Sequence, residues 1–271
     1  MGQASSISTV LVGENLCVNA WFSGHLATEL PYNCAVLVLS LDTSSPTGSI
    51  AVLREDCLIG VISTHTDETY SSRIFRQLEF LLAELRLKLD AFDLFAVNAG
   101  PGSFTGLRVG LTTAKAWADA FSRPVVPVSG LEAVATQTSE GAEHIVSVVD
   151  ARRGQLYVGS YKRTLTQSSH QPVLIRAVQD SVMSPEEFLG WLEAPEQTEG
   201  IVVTPSQSLL ESVLYNCNRS EHPIRKVSPV LAPSIGVLAC SKAREGESVD
   251  ALTLDANYVR RSDAELNWKG K

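Results

Sequence analysis

Short apolar runs separated by turn-forming residues dominate the hydrophobic pattern of this chain. Four runs are almost continuously apolar, which is typical of strands buried on both faces: residues 35–41, 94–98, 145–149 and 201–203. Shorter runs predict further strands at residues 49–53, 57–63, 125–128 and 155–161. Two similar units therefore follow one another, each opening with a buried strand, a turn that carries an aspartate (Asp42, Asp150) and a returning strand. The pattern predicts two α/β lobes of related design.

Apolar residues at helical spacing predict the helices between these strands. Residues 71–89 carry a wide apolar face, and residues 107–121 form a second helix. Gly106, Gly110 and Ala114 recur every four residues, so they lie along one side of that second helix. Two explanations stay open for this small-residue stripe, namely close packing within the lobe and close packing against a partner helix.

The remaining segments complete a three-part division of the chain. Residues 1–33 show no strong period and are predicted to be an N-terminal extension, residues 34–142 the first lobe, and residues 143–271 the second lobe with a C-terminal tail that packs back on the first. Within the second lobe, three helices are predicted, one that starts at Ser184 and two at residues 206–214 and 234–243. Residues 163–182 are predicted to be loops with short strands.

Composition excludes several classes of protein. The 271 residues carry a net charge of -8 and give a pI near 5.2, which makes the chain a poor stand-alone binder of nucleic acid. Its five cysteines contain no C-x-x-C pair, so neither a zinc site nor a disulfide framework is expected. No apolar stretch reaches the roughly 18 residues that cross a bilayer. We therefore expect a cytoplasmic protein without membrane contact.

Three segments carry candidate chemistry, each of which is equally compatible with a purely structural turn. The glycine-rich turn 100–106 between a strand and a helix could present its amides to a phosphate, although it matches neither a Walker A nor a Rossmann motif. The candidate nucleotide or phosphate ligands are Asp42, Thr43, Ser44, Gly100, Gly102, Ser103, Gly106, Arg108, Asp150 and Arg152. The histidines form no helical pair and Ser103 lacks a G-x-S-x-G context, so no catalytic residue and no metal ligand is predicted.

Four ordered motifs make the chain similar to the TsaB (YeaZ) family. They are LSLDTSSPTGSIAV at 39–52, AGPGSFTGLRVGLTTAK at 99–115, VDARRGQLY at 149–157 and NYVRRSDAE at 257–265. This resemblance implies an α/β, two-lobed ASKHA (actin/Hsp70-like, ribonuclease H-like) fold with mixed sheets flanked by helices. It departs from the family at residues 70–72, where Tyr-Ser-Ser stands in place of the His-Ser-Glu of many relatives.

The resemblance also implies a function. It implies a non-catalytic subunit that binds and activates TsaD for threonylcarbamoyl transfer to tRNA adenosine, in synthesis of N6-threonylcarbamoyladenosine (t6A). The implied partners are TsaD in a heterodimer and TsaE in a ternary complex, with a homodimer formed by the chain alone and tRNA reached only through the complex. No cofactor would be required, and ATP or ADP would bind weakly.

The family's helix-mediated pairing gives an implied dimer interface on the two helices of the first lobe. Its residues would be Ile74, Leu78, Gly106, Gly110, Thr113, Ala114 and Trp117. TsaD-like enzymes carry a His-x-x-x-His metal pair, whereas here His65 is followed four residues later by Thr69, which indicates a non-catalytic chain. The alternative hypothesis is an ATPase or kinase of the same fold with a nucleotide between Asp42, the 100–106 turn and Asp150.

Overall fold

The structure, a computed structural model, describes residues 6–17, 35–66, 68–138, 142–165, 172–193, 200–206, 209, 223–257 and 259. The chain divides into two compact units. The first unit comprises Met1–Gly130 and Val230–Asn257, and the second comprises Leu131–Pro229 and Tyr258–Lys271. The division between Gly130 and Leu131 differs from the predicted boundary at residues 142 and 143, and a returning C-terminal segment completes the first unit.

A mixed sheet forms the centre of the first unit. In the described residues its strands are β1 (Ser6–Cys17), β2 (Leu37–Asp42), β3 (Thr47–Arg54), β4 (Cys57–His65), β5 (Leu94–Gly100) and β6 (Val125–Ser129). Their order is β1-β4-β3-β2-β5-β6. Strand β2 pairs antiparallel with β3 and parallel with β5, and both β2 and β5 are buried along their whole length. Their burial on both faces explains why these two segments read as continuous apolar runs.

Strand β1 is a feature that the sequence pattern does not predict. Ser6–Cys17 pairs antiparallel with β4 at the edge of the sheet, and the register shifts twice along the pair. An edge strand is held mainly by main-chain hydrogen bonds to one neighbour, so it needs no strong side-chain period. The N-terminal extension predicted for residues 1–33 therefore contributes a strand to the first unit.

Five helices are present in the described residues. They are α1 (Tyr70–Leu85), α2 (Phe104–Phe121), α3 (Gly130–Ala135), α4 (Pro185–Leu192) and α5 (Ala232–Arg244). Helix α1 ends earlier than the predicted Leu89, because Arg86 adopts a left-handed conformation that closes the helix and Leu89–Ala91 forms a separate 3-10 turn. None of the helices in this part of the chain has both the length and the apolarity that crossing a membrane would require.

The second unit contains a sheet of the same design. Its described strands are β7 (His144–Arg152), β8 (Gln155–Leu165), β9 (Pro172–Met183), β10 (Gly200–Thr204) and β11 (Ile224–Lys226), in the order β11-β10-β7-β8-β9. In the second unit, β7–β8 and β8–β9 are antiparallel pairs, whereas β7–β10 and β10–β11 are parallel pairs. The first unit has the same arrangement, with antiparallel pairs β2–β3 and β3–β4 and parallel pairs β2–β5 and β5–β6. This repeated topology confirms the prediction of two units of related design.

The four predictions made for the second lobe have different outcomes. The loops with short strands predicted at 163–182 are corrected for residues 172–182, which belong to the 12-residue strand β9 that pairs with β8 through two register shifts. Residues 166–171 of that prediction lie outside the described residues. The helix start at Ser184 is confirmed, with a full capping box between Ser184 and Glu187. The helix predicted at 206–214 falls largely outside the described residues. The helix predicted at 234–243 is confirmed as α5, which belongs to the first unit.

The segment 249–257 ties the C-terminal part of the first unit to its sheet. Val249 and Val125 exchange two main-chain hydrogen bonds of 3.0 and 2.9 Å, and Asn257 N–H donates to Ala99 O at 2.7 Å. Between these anchors, Leu254 is only 1% exposed and lies in the core of the unit, whereas Leu252 is 90% exposed. One buried side chain therefore does most of the apolar packing of this segment.

The contribution of this segment can be tested through its two leucines. Leu254→Ala should lower the free energy of unfolding by about 2–5 kcal/mol, because it removes a buried side chain and leaves a cavity. Leu252→Ala, two residues away, should change it by no more than about 0.5 kcal/mol. Urea denaturation followed by tryptophan fluorescence measures both. Equal effects of the two substitutions would contradict the placement of Leu254 in the core.

Candidate functional site

The carboxyl ends of β2 and β5 bring two of the predicted segments together. These strands are parallel neighbours, so their ends meet at one edge of the sheet, where ligand sites of α/β proteins usually lie. Asp42 ends β2 and begins the turn to β3, while Gly100 ends β5 and begins the glycine turn. The structure thus confirms that residues 42–44 and the glycine turn 100–106 are adjacent.

Asn98 connects the two segments and was missed by the sequence analysis. Its Nδ2 donates to Asp42 Oδ1 at 2.9 Å and to Ser44 Oγ at 3.0 Å, and its Oδ1 accepts from Gly100 N–H at 2.9 Å. Asp42 Oδ1 also accepts from Ser44 N–H at 3.0 Å. A polar residue within an otherwise apolar buried strand, two positions before a glycine turn, was the signal that could have identified Asn98.

Asp42 is a fully buried carboxyl group with one unpaired oxygen. Its Oδ1 accepts the bonds from Ser44 and Asn98, but its Oδ2 has no hydrogen-bond partner. Burial raises the pKa of Asp42 above its ordinary value of 3.8, against the opposing effect of those hydrogen bonds. The carboxyl group therefore holds its proton more tightly than an exposed aspartic acid does.

The glycine turn packs directly against the β2–β3 turn. Ser103 N–H donates to Ser44 O at 2.8 Å, and Thr43 Oγ1 donates to Gly106 O at 2.7 Å. A Cβ added at Gly102 would lie 2.5 Å from Ser44 Cβ, and one added at Gly106 would collide with Thr43 O. These glycines are needed because the backbone of one turn approaches that of the other, which is the structural alternative left open by the sequence.

The first turn of α2 is also capped from within the chain. Ser103 is the N-cap residue and its Oγ accepts a hydrogen bond from Gly106 N–H at 3.3 Å. Arg108, predicted to hold a phosphate, instead stacks its guanidinium over the Phe104 ring, with 3.9 Å between Cζ and the ring centroid. Its side chain is exposed. Gly106 N–H is thus bonded to Ser103, and the Arg108 side chain contacts Phe104.

Gly100 takes a backbone conformation that favours glycine. Its φ of +123° lies in the left-handed region, and an added Cβ would lie 2.5 Å from Asn257 O. The peptide bond from Gly100 to Pro101 is cis. The turn therefore contacts the C-terminal segment on one side and the β2–β3 turn on the other.

Tyr70 and Arg73 hold the β2–β3 turn from the side of α1. Tyr70 OH donates to Ser45 O at 2.5 Å, and Arg73 donates to Pro46 O at 3.2 Å and to Thr64 Oγ1 at 2.7 Å. The Arg73 guanidinium lies 4.0 Å from the centre of the Tyr70 ring, and the residue is 2% exposed. Burial, with the nearby Asp42 charge as a second cause, raises the pKa of Tyr70, so its phenol stays protonated and donates.

The seven residues predicted at a dimer interface are buried inside the first unit. Gly106 and Gly110 face Thr43, and a Cβ at Gly110 would collide with Thr43 Oγ1. Ile74, Leu78, Thr113, Ala114 and Trp117 are also buried, and Thr113 Oγ1 bonds back to Val109 O at 2.7 Å. Packing within the unit thus explains the small-residue stripe, so the assignment of these residues to an interface is corrected. The existence of an interface on other positions of these helices stays a prediction.

His65 and Thr69 are the two residues that the family resemblance singled out for comparison with a metal pair. His65 Nδ1 lies 2.7 Å from Thr47 Oγ1, and Thr69 Oγ1 lies 2.6 Å from Ser72 Oγ at the start of α1. Across the described residues, no three His, Cys, Asp or Glu side chains are grouped as a metal site requires. Thr69 therefore belongs to a cluster of hydroxyl groups at the start of α1.

Asp150 and Arg152 belong to the second unit and form a separate group. Asp150 Oδ1 accepts a hydrogen bond from Arg152 N–H at 2.7 Å, at the tip of the β7–β8 hairpin. Arg152, Arg153 and Gly154 all have positive φ angles, of 63°, 55° and 70°. The carboxylate of Asp150 is therefore used to hold the tip of this hairpin.

The fold identifies the structural class to which the protein belongs. Both units share the strand order and pairing of the actin/Hsp70-like, ribonuclease H-like fold, so the predicted fold class is confirmed. The structure is similar to a protein from Pseudomonas aeruginosa described as having similarity to the peptidase YEAZ. The TM-score is 0.66 at 25% identity, covering 83% of this chain and 100% of that one.

Sequence comparisons show the family. The family described as "TsaD: tRNA N6-adenosine threonylcarbamoyltransferase" matches residues 52–212. The TsaB protein of Bacillus subtilis (strain 168) is 29% identical over 241 residues, covering 85% of this chain and 97% of the relative. That of Haemophilus influenzae is 33% identical over 164 residues, covering 58% and 67%. The chain belongs to this family and, within it, to the TsaB (YeaZ) proteins.

Gly110→Ala tests whether the small-residue stripe serves packing within the unit. Alanine normally stabilises a helix relative to glycine by about 1 kcal/mol. Here the new methyl group meets Thr43, whose hydroxyl is bonded to Gly106, so we expect a loss of about 1–3 kcal/mol in the free energy of unfolding. Thr112→Ala, at an exposed position of α2, is the matched control and should be neutral or slightly stabilising. Stabilisation by Gly110→Ala in urea denaturation would contradict the observed packing.

Asp42→Asn tests the buried carboxyl group. The folded state raises the pKa of Asp42 above 3.8, so it holds the proton more tightly than the unfolded chain does. Ionisation of Asp42 therefore lowers the free energy of unfolding as the pH rises from about 4 to the folded-state pKa. Within that window the loss is about 1.4 kcal/mol per pH unit. The substituted amide retains an acceptor for Ser44 and Asn98 and does not titrate. The stability of the variant relative to wild type should therefore grow with pH in urea denaturation, and a pH-independent difference would refute the assignment.

Proposed function

We propose that this chain is a non-catalytic subunit that binds and activates a TsaD-type enzyme for threonylcarbamoyl transfer to tRNA adenosine. Relatives in Bacillus subtilis, Haemophilus influenzae and Escherichia coli carry the name "tRNA threonylcarbamoyladenosine biosynthesis protein TsaB". The chain spans 97% of the first of these, so the similarity supports a role for the whole protein in t6A synthesis. Its acidic composition supports a role in which tRNA is reached through a complex.

The absence of a metal-ligand pair at the start of α1 supports the non-catalytic part of this proposal. An enzyme that used a His-x-x-x-His pair would need imidazoles at positions 65 and 69. Here Thr69 is bonded to neighbouring serine hydroxyls, and His65 contacts Thr47. One remaining imidazole is a weak site for a transition metal, because affinity depends on several ligands acting together.

Two exposed phenylalanines on α1 carry the docking part of the proposal. Phe75 is 59% exposed and Phe80 is 48% exposed, although the opposite side of α1 packs in the core through Ile74, Leu78 and Leu81. At about 100° per residue the two rings lie about 140° apart around the helix, and they flank its outward face. Large exposed aromatic side chains on a helix are typical of protein interfaces.

The outward face of α1 carries charged and small side chains that a partner helix would contact. Between the two phenylalanines lie Arg76, Glu79 and Ala83, all exposed, which combine a small residue with one charge of each sign. This arrangement of aromatic anchors beside charged positions suits a specific, helix-mediated contact. We propose TsaD as the heterodimer partner, TsaE as the third component, and a second copy of the chain as the occupant when TsaD is absent.

The alternative function, a nucleotide-dependent enzyme of the same fold, finds less support in the first unit. The turn that would hold a phosphate is bonded to the β2–β3 turn and its helix is capped by Ser103. Asp42 is fully buried, and that burial raises the pKa of its carboxyl group. We therefore expect ATP or ADP to bind weakly and not to be required. Calorimetric titration with ATP and magnesium distinguishes the two functions, because tight binding with turnover would favour the enzyme.

Phe75→Glu tests the proposed docking face. The variant should remain folded and monomeric, because Phe75 is exposed, and its affinity for TsaD should fall at least about tenfold, as expected for loss of an aromatic anchor. Ile175→Glu, at a similarly exposed position of the second unit, is the matched control and should bind as wild type does. Size-exclusion chromatography and calorimetry with purified TsaD measure the effect. Unchanged binding by Phe75→Glu, or transfer activity of the chain alone, would contradict the proposal.

A further inference from the structure

Arg73, in the first turn of α1, carries a guanidinium group that is buried in the first unit. The residue is 2% exposed. Within the described residues it donates to Thr64 Oγ1 at 2.7 Å, Thr64 O at 3.3 Å and Pro46 O at 3.2 Å, and to no carboxylate. Its Nε has no hydrogen-bond partner there. A buried charge without a counter-charge is costly, so an apolar side chain would fill this space at a lower cost in free energy.

The hydrogen bonds of Arg73 tie the start of α1 to two segments that are distant in sequence. Thr64 lies in β4 and Pro46 in the β2–β3 turn. Gln77, one turn further along α1, donates to the same Thr64 Oγ1 at 2.7 Å. The N-cap residue Thr69 makes no side-chain hydrogen bond to the first turn of the helix, so the usual local cap is missing. Side chains on the inner side of α1 fix its start instead.

Tyr70 adds a further contact on the same side of the helix. Its hydroxyl donates to Ser45 O at 2.5 Å, and Arg73 Cζ lies 4.0 Å from the centre of its ring. The ring also occupies the space beside Gly48 of β3, where an added Cβ would collide with it. The ring and the guanidinium therefore hold each other in place, and together they hold the first turn of α1.

These anchors lie in line with Phe80 on the outer edge of α1. At about 100° per residue, Phe80 lies about 20° from Arg73 around the helix and about two turns along it. The core contacts of Ile74 and Leu78 are not directional, whereas a guanidinium donates in fixed directions and so specifies the rotation of the helix more sharply. A rotation of about 15° would move a ring that lies about 6 Å from the helix axis by about 1.5 Å. Such a shift is large for a closely packed contact.

We propose that Arg73 is a positioning residue, which sets the rotation of α1 about its axis and so presents Phe80 in the orientation that a TsaD-type partner contacts. The inference rests on the proposed function, because it takes the outward face of α1 as the docking surface. Arg73 is buried and does not touch the partner; it acts through Phe80. The retention of a costly buried cation is then explained by conformational specificity, a role that buried polar groups have in some other proteins.

The experiment is a double-mutant cycle on TsaD binding, measured by calorimetry with the full chain. Arg73→Met replaces the guanidinium by an apolar side chain of similar volume. We expect it to change the melting temperature by no more than about 3 °C and to weaken TsaD binding about tenfold. In the Phe80→Ala background the same substitution should weaken binding by about threefold or less, because the two residues act together. An equal loss in both backgrounds would overturn the inference, since a purely structural role gives no coupling to Phe80.

Two further variants separate positioning from stability. Tyr70→Phe keeps the ring and removes only the hydrogen bond to Ser45, so it should fold and weaken TsaD binding about threefold. This variant decides the question if Arg73→Met does not fold, and unchanged binding would then count against the inference. Ser160→Ala is the matched control, because Ser160 is 2% exposed in the second unit and its hydroxyl has no hydrogen-bond partner in the described residues. It should bind TsaD as wild type does.

Amide hydrogen exchange of the free chain supplies a readout that does not need the partner. Arg73→Met should speed exchange in the first turns of α1, because their anchors are lost, and Ser160→Ala should not. Unchanged exchange in α1 would contradict the positioning role.

The outcomes distinguish failure of this inference from failure of the proposed function. If wild type binds TsaD and Arg73→Met binds equally well, the inference is wrong while the subunit role stands. If Phe80→Ala binds as wild type does, Phe80 is not an anchor and the inference is likewise wrong. If the wild-type chain does not bind TsaD at all, the proposed function is overturned and the inference with it. Weaker binding by Arg73→Met that is largely abolished in the Phe80→Ala background supports it.

Discussion

The contact between the β2–β3 turn and the glycine turn is the constraint on which the first unit depends. Two parallel strands end side by side, and Ser103 N–H bonds to Ser44 O while Asn98 links Asp42 to Gly100. The approach is so close that side chains at the facing glycines would collide with the opposite turn. Helix α2 begins directly from this contact, so its position in the core follows from the same bonds.

The same contact engages several groups of the predicted phosphate-binding pattern. The N–H groups of Gly100, Ser103 and Gly106 are bonded to the chain itself, and burial raises the pKa of Asp42. Tyr70 and Arg73 bond to carbonyl groups on the other side of the β2–β3 turn, so the turn is held from two directions. The protein has the framework of the actin/Hsp70-like fold, and its glycine turn is packed and hydrogen-bonded against the β2–β3 turn.

The two units share one topology, but the turn after their first central strand is buried in the first unit and exposed in the second. In the first, the turn that carries Asp42 is bonded inward to the glycine turn and to α1. In the second, the equivalent hairpin carries Asp150, whose carboxylate holds a strained backbone and leaves two arginines at the surface. Strain of this kind persists when the surrounding structure enforces it, and it marks places where side-chain chemistry outweighs local stability. The turn that carries Asp42 is therefore largely buried, whereas the tip of the hairpin that carries Asp150 is exposed.

The sequence by itself determined the order of most strands and helices and the two related units, because hydrophobic period and local turn chemistry are short-range properties. The family followed separately, from the resemblance of four ordered motifs. The continuous apolar runs of β2 and β5 and the capping box at Ser184 are examples. Only the tertiary structure decided what Gly110 packs against, that Asn98 joins two turns, and that residues 6–17 pair with β4. These outcomes depend on which distant segments meet, and a glycine spacing or a single polar residue carries no information about the partner that approaches it.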